Sequence, residues 1–584
     1  MTIVYPKSTA ADDIINVRSY GAVGDGSTDD TTAIQSAITD ASINSGTLFI
    51  PKGYTFRITE NISTAANLHI FGGGTIITDV SGNGLTFTGD SVVIEDITFD
   101  GNTNDTVNVA LNLSTLSWAK ISNCTFQNVD SDTYVKALNI AYVIDFLVTN
   151  CRFNNITCLA NNVGGDTNGS CRALVVHGGP TKGVIEGCIF ENVNNRTAGD
   201  AFDYEDADAI QIYGTGTGIA DTLITNCKFY NCGKRAIKNN PDSGSRCVIS
   251  DITIKSNYTD TADNSTAEAN GMFSCVSSFA GSLKVNNLNL LDGVCAYGVI
   301  ANGENVEHVT VSNCTLHFEP HRYANTQQVI GVYIYNTVPS TADIVINNNS
   351  IKGCHIAVNA AGGGKLVLNG NTLKSLGQTV SIHANCDVNA TGNNIDFENR
   401  LTWIDYTGGE GVVPSSGQVV EGSGSGATGT IAYIDVDTGS FAGQNAAGDL
   451  LLHDVSGTFT DGETLILPSG ASADVDGFLD RYGIYMGDGI GSVSLVGNNI
   501  KNMKDGIYLA SQSGSFKFNM VANNFDGISR NELTNQTSVT NWKAYSETGV
   551  VTSRAFDPQT VDTSGLGNIV GTLIADLRAQ GIVS

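Results

Sequence analysis

Apolar and small residues recur along this chain in one five-residue pattern: any residue, a small one, an aliphatic one, a variable one, then usually another apolar one. The copies are NGLTF from Asn83, VALNL from Val109, KALNI from Lys136, RALVV from Arg172, DAIQI from Asp208 and RAIKN from Arg235. They continue with NGMFS from Asn270, YGVIA from Tyr297, IGVYI from Ile330, IAVNA from Ile356, QTVSI from Gln378, YGIYM from Tyr482 and DGIYL from Asp505. Their starts are 26, 27, 36, 36, 27, 35, 27, 33, 26, 22, 104 and 23 residues apart. A short strand that returns about every 25 residues, with extra length inserted irregularly, predicts a coil whose rungs stack through strand pairing. Helical repeats of similar period need amphipathic runs of roughly ten residues or more, which these segments lack.

A second series runs out of phase with the first: NCTF from Asn123, NCRF from Asn150, GCIF from Gly187, NCKF from Asn226 and NCTL from Asn313. Each coil therefore holds at least two strand-and-corner units. Asn suits the turn and stacks on its copy one rung away, while Cys and Phe fill the interior. The expected fold is all-β, a single-stranded right-handed parallel β-helix with an N-terminal capping helix, a small inserted β domain and a short C-terminal helix.

Residues 14–60 depart from the repeats. Ser27 to Asp30 supply cap and first-turn residues, and Ile34, Ala37 and Ile38 then share one helical face before Gly46. A helix here would cover the sticky edge of the first rung. Tyr20 to Gly26, Asp29, Asp30 and Ala33 to Ala37, followed by Pro51, Gly53 and Tyr54, match YGAxGDGxTDDTxAIQxAI and a later PxGxY element. On these residues the chain resembles the pectate-lyase-like superfamily of β-helices, which includes polygalacturonases, pectate lyases, alginate epimerases and bacteriophage tailspikes. The resemblance implies a carbohydrate-active coil, and a tailspike-like polysaccharide depolymerase in particular.

The 13 Cys lie between Cys124 and Cys386, several at the repeated corner, and read as buried thiols rather than a disulfide framework or zinc site. Formal net charge is −28, which disfavours nucleic acid and anionic membrane as partners. The N-terminus MTIVYPKSTAADD lacks a signal-peptide pattern, and no run of about 20 apolar residues occurs. The expectation is a chain made in a host cytoplasm and carried in a virion, acting outside the cell on a bacterial surface polysaccharide.

The division expected is a cap over 1–60, the main coil over 61–406, an inserted β domain over 407–478, last rungs over 479–545 and a tail over 546–584. The insert is rich in Gly turns and short alternating strands. It looks like a small module of phage virion proteins, either a spacer or a sugar binder. In the tail, Ile569, Leu573, Ile574 and Leu577 fall at helical spacing. That segment resembles the ends of phage tail proteins, which implies a homotrimer. Little chain precedes the first motif, so attachment would use a phage tail attachment protein, or the chain is truncated.

Long gaps precede four patterned strands, at 158–170, 195–207, 259–269 and 318–328, and are expected to wall one face into a groove. In each copy the third and fifth positions point inward, leaving the fourth and sixth outward on that face. The candidate catalytic residues are Glu205, Asp206, Asp208 and Lys238. The candidate substrate-binding residues are His177, Gln211, Tyr213, Arg235, Phe273, His321, Arg322 and Tyr323. Paired acids suit glycoside hydrolysis, since Asp206 and Asp208 at i and i+2 of a strand stand roughly 6.6 Å apart along the chain. Lys238 and Arg235 suit β-elimination from a uronate glycan. Hydrolysis is the narrow preference, with lyase action and a non-catalytic glycan-binding fibre as alternatives. No cofactor is required, although the acidic loop 200–208 also offers oxygen ligands for Ca2+. DADAIQI resembles the polygalacturonase acid motif only in part, because Ala207 stands where that family has its first acid and Arg172 replaces another. Arg235 stacked on Asp208 would alternatively make a plain structural ion pair.

Overall fold

In the computed structural model the described residues are 14–545, except 45, 66, 103–106, 159–169, 180, 196–206, 217, 219, 256–271, 294, 319–328, 384–385, 398–400, 435, 479–481, 488–489, 504, 510–516 and 527–542. The C-terminal helix expected within 565–581 lies outside them. The chain winds into a parallel β-helix in which 43 strands pair from rung to rung. A typical rung holds three strands, for example Val135–Ala141, Asp145–Thr149 and Arg152–Cys158, and each pairs in parallel with its counterpart on the next rung.

The patterned strands stack in register as one sheet. Leu111, Leu138, Leu174, Ile210 and Ile237 follow one another at the inward third position. One copy is displaced from the expected frame. Arg235 pairs with Ser274 and Ile237 with Val276, so the repeat on that rung is SCVSS from Ser274, not NGMFS from Asn270. Cys275 fills the small second position there, and the Ala-or-Gly preference had pointed four residues too early.

The second series behaves as its composition requires. Asn123, Asn150, Gly187, Asn226 and Asn313 all adopt φ between 52° and 65°, the left-handed turn that Asn and Gly tolerate best. Phe99, Phe126, Phe153, Phe190 and Phe229 stack in a file with successive centroids 4.7–5.0 Å apart. All 13 cysteines are buried. Burial pushes the Cys232, Cys247 and Cys386 thiols up to about 12, so they serve as inert core residues.

Beyond Cys314 the buried corner changes chemistry. Asn349, Asn371, Asn393 and Asn498 replace Cys and form a ladder in which each side-chain oxygen accepts from the Asn one rung before it. Asn371 alone makes four bonds, accepting from the Asn349 backbone and side chain and donating to Asn393 Oδ1 and Ile346 O.

At the N-terminus one helix, Thr31–Asn44, seals the coil with Ile34, Ala37, Ile38 and Ala41 fully buried. The acids of the starting motif are all structural. Asp25 accepts from Ser27 and Thr28, Asp29 from Thr31, and buried Asp30 from the backbone N–H groups of Val23 and Gly24. Gly24 has φ 71°, and a Cβ there would stand 2.8 Å from Phe56.

The insertion is a closed six-stranded antiparallel barrel with its own core. Its first strand is Leu401–Glu410, so LTWIDY opens the barrel instead of completing a rung, and the boundary lies six residues before the expected 407. The coil resumes across the insertion, pairing Val380 with Ile484 and Ile395 with Ile500. The barrel rests on the coil through Trp403 and Leu451 against Leu376, with the Trp403 ring 4.8 Å from buried His355.

Asn371→Leu should lower unfolding free energy by about 2–4 kcal/mol, because it orphans several buried polar groups at roughly 1–3 kcal/mol each. Urea unfolding of the two proteins measures this, and an unchanged midpoint would mean that the ladder carries no net stability.

Candidate functional site

Strand register sets the site. At the first position of the pattern, Lys136, Arg172, Asp208 and Arg235 stand one above another on four successive rungs. At the fourth position the column is Asn139, Val175, Gln211 and Lys238, and at the sixth Ala141, His177, Tyr213 and Asn240. Adjacent strands lie about 4.8 Å apart, so groups on these rungs share one small patch.

The patch is cationic and aromatic. The His177 and Tyr213 rings stack in parallel at 4.7 Å, and Tyr142 meets His177 edge-on at 5.8 Å. Gly178 makes room for Tyr142, since a Cβ there would lie 2.5 Å from its ring. Burial, then the charges of Lys136 and Arg172, hold His177 down at about 4, so it is a neutral imidazole at ordinary pH. Burial and neighbouring Arg172 likewise push Lys136 down to about 8, within the range of a lysine base. Burial raises Tyr213, which keeps its phenol protonated.

Asp208 is fully buried and forms an ion pair with Arg235 at 3.2 Å. Of the two readings of Asp208, a reacting acid beside Asp206 or the partner of a stacked Arg235, the geometry on this rung is that of the ion pair. Arg235 in turn faces Phe273 at 5.4 Å and Phe279 at 5.8 Å, and Lys238 Nζ lies 5.8 Å from the Phe279 ring. Phe273 thus reaches the site, but from one residue before the patterned strand rather than from the outward fourth position. Gln211 is 5% exposed, and its Oε1 has no hydrogen-bond partner among the described residues; the same is true of Asn139 Oδ1 at 7% exposure. Buried amides without partners are uncommon unless a ligand supplies them.

The structure brings together His177, Asp208, Gln211, Tyr213, Arg235, Lys238 and Phe273. Glu205 and Asp206, the loop 200–206 considered for Ca2+, and His321, Arg322 and Tyr323 lie outside the described residues. Among the described residues no group of three or more His, Cys, Asp or Glu side chains could hold a metal. Lys136, Tyr142 and Phe279 are additions. Lys136 was legible as the next copy down the first-position column, Phe279 falls at the sixth position only once the repeat is set from Ser274, and Tyr142 follows its patterned strand and carried no periodic signal.

Residues 14–263 match the sequence family described as rhamnogalacturonase A/epimerase, pectate lyase-like. Those residues form the N-terminal part of the parallel β-helix. Among solved structures, the β-helix is similar to PfbA, a surface adhesin of Streptococcus pneumoniae, at 13% identity and TM-score 0.32, covering 89% of this chain and 93% of that one. It is also similar to a tailspike protein mutant of E. coli bacteriophage HK620 in complex with a pentasaccharide, at 10% identity and TM-score 0.36, covering 80% and 94%. A third is the catalytic unit of a GH87 alpha-1,3-glucanase from Streptomyces thermodiastaticus, at 12% identity and TM-score 0.33, covering 68% and 67%. No curated protein matches the sequence. No helix among the described residues is long and apolar enough to cross a membrane.

His177 should stay neutral in the folded β-helix until about pH 4, against 6.5 for a free imidazole. Between those values the unfolded chain binds the extra proton, so the His177 contribution makes stability fall as pH drops through that window. NMR of ring-labelled histidine checks this, with His177→Gln assigning the signal. A titration near pH 6.5 would contradict the burial and the neighbouring charges.

Proposed function

We propose that this β-helix binds and cleaves a bacterial surface or extracellular polysaccharide over the rungs beginning at Lys136, Arg172, Asp208 and Arg235. The observation that carries the reading is the meeting, on one patch, of a lysine with a lowered pKa, a neutral histidine, a protonated tyrosine and two buried amide oxygens without partners among the described residues. Those groups suit β-elimination on a uronate-containing glycan better than hydrolysis. A neutral Lys136 would take the proton beside the uronate carboxyl, and Arg172 and Lys238 would balance the charge that develops there. Electrons of the broken C–H bond form the new C=C bond as the glycosidic oxygen leaves, taking a proton from Tyr213. The barrel is an unsuitable alternative seat for an acidic glycan, because residues 401–478 hold eleven Asp or Glu and no Lys or Arg.

Hydrolysis is the second reading, favoured by Asp200, Asp203, Glu205, Asp206 and Asp208 within nine residues. It ranks lower because Asp208 is sealed and engaged with Arg235. On either reading the protein is a tailspike-like virion component, homotrimeric and joined to a tail partner, that works outside the cell. Light scattering should give three times the 61.2 kDa chain mass, and a monomer would remove the trimer from the proposal.

The deciding assay incubates the full chain with a panel of capsular polysaccharides and analyses products by ultraviolet absorption and mass. For β-elimination, unsaturated products are expected, with Lys136→Met and Lys238→Ala lowering turnover by at least about 100-fold between them. Saturated products, together with inactive Glu205→Gln or Asp206→Asn, would transfer the chemistry to hydrolysis. Asp208→Asn is the poorer probe, since removing one partner of a buried ion pair costs about 3–5 kcal/mol of stability by itself. Tight binding of a glycan with no products would favour the non-catalytic fibre.

A further inference from the structure

The same sheet face changes character along the coil. From the rung at Tyr297 to the rung at Tyr482 the first-position column is Tyr297, Ile330, Ile356, Gln378 and Tyr482, and the fourth is Ile300, Tyr333, Asn359, Ser381 and Tyr485. Sixth positions over the same rungs are Asn302, Tyr335, Ala361, His383 and Gly487. No Lys, Arg, Asp or Glu occurs in these columns, whereas the four rungs from Lys136 to Arg235 carry five charged groups in the first and fourth.

Two aromatic walls enclose a polar notch within this uncharged stretch. On one side the Tyr333 ring lies 5.6 Å from Tyr297 and 5.0 Å from Tyr335, which is 36% exposed. On the other, Tyr485 and Tyr508 stack with centroids 5.4 Å apart. Asn359 and Ser381 occupy the two rungs between, so the walls stand three strand spacings apart, about 14 Å. Ser381 Oγ donates to Gln378 Oε1 at 2.8 Å and meets His383 Nε2 at 2.8 Å. That fixes the rim of the notch, while the Asn359 Oδ1 on its floor is buried and has no partner among the described residues.

We propose that this notch is a second glycan site, separate from the cleaving rungs, that holds an uncharged hexopyranose segment. A pyranose has an apolar C–H face, which a tyrosine ring covers, and a rim of hydroxyls, which pair with amide, hydroxyl and imidazole groups. Asn359 Oδ1 gains a donor that no described residue supplies, and these columns carry no cation to favour a uronate. Its centre lies about 22 Å, four and a half strand spacings, from the rung of Lys238, so one glycan chain along the coil would present an acidic unit to the first patch and neutral units to the second. The inference rests on the reading that this face binds glycan, but not on cleavage.

The test titrates the full-length protein with neutral hexasaccharides of glucose, galactose and mannose, and with hexagalacturonate, followed by saturation-transfer NMR. At least one neutral hexamer should bind the wild type. Tyr333→Ala and Asn359→Leu should each weaken that binding about tenfold or more, while Lys136→Met leaves it unchanged. Absence of binding by every neutral hexamer, or equal binding by wild type and both variants, overturns the proposal. Loss of hexagalacturonate binding in Tyr333→Ala with neutral hexamers unaffected also overturns it, assigning the notch to the acidic unit. Dissociation of the assembly on Tyr333→Ala, read by sedimentation, overturns it in favour of a contact between copies. Thermal melting of the variants controls for folding. If neutral hexamers bind as expected while no polysaccharide is cleaved, the depolymerase reading fails and this one stands.

Discussion

In-register pairing of each strand with its copy one rung away is the constraint on which this molecule depends. It places every side chain about 4.8 Å from its counterpart, so whatever the sequence repeats becomes a column. Apolar columns are favourable at any length, as the file of five Phe rings demonstrates. Charged columns are not: two like unit charges one spacing apart repel by roughly 3–4 kcal/mol at an effective dielectric near 20. Lys136 and Arg172 stand in that relation, and their repulsion adds to burial in lowering the pKa of Lys136. Asp208 between Arg172 and Arg235 relieves the column at its next step.

That arithmetic explains why the candidate site is local. A coil can hold a charged stack only over a few rungs, and only where an interposed carboxylate or an arriving anion balances it. The rungs beyond Lys238 return to Ser, aliphatic, Tyr and Asn groups on the same face. Along one continuous sheet, the protein therefore has a charged surface followed by an uncharged one without any change of fold.

The corner column shows the same logic with polar groups. Thiols suffice where the corner packs against Phe, and Asn takes over where the ladder runs Asn349, Asn371, Asn393 and Asn498. An Asn column satisfies itself, since each amide is both donor and acceptor for its neighbours, and a column of acids or lysines could not. The barrel interrupts the sequence between Asn393 and Asn498 but not the ladder, because the chain leaves and re-enters within one rung.

Local sequence determined the coil, its corners, its buried thiols and the N-terminal cap, because those follow from periodicity, turn chemistry and helix-capping residues and need no knowledge of distant contacts. It also gave the columns Lys136 to Arg235 once the spacing was known. Three things came only from tertiary structure. The register at Ser274 depended on Cys275 fitting a position where the pattern favours Ala or Gly, which packing decides. The choice between Asp208 as a reacting acid and as the partner of Arg235, both open in the sequence, was made by the stacking that buries the carboxyl completely. The approach of Tyr142 and Phe273 to the charged rungs depended on chain just outside the patterned positions, where no period constrains which way a side chain points.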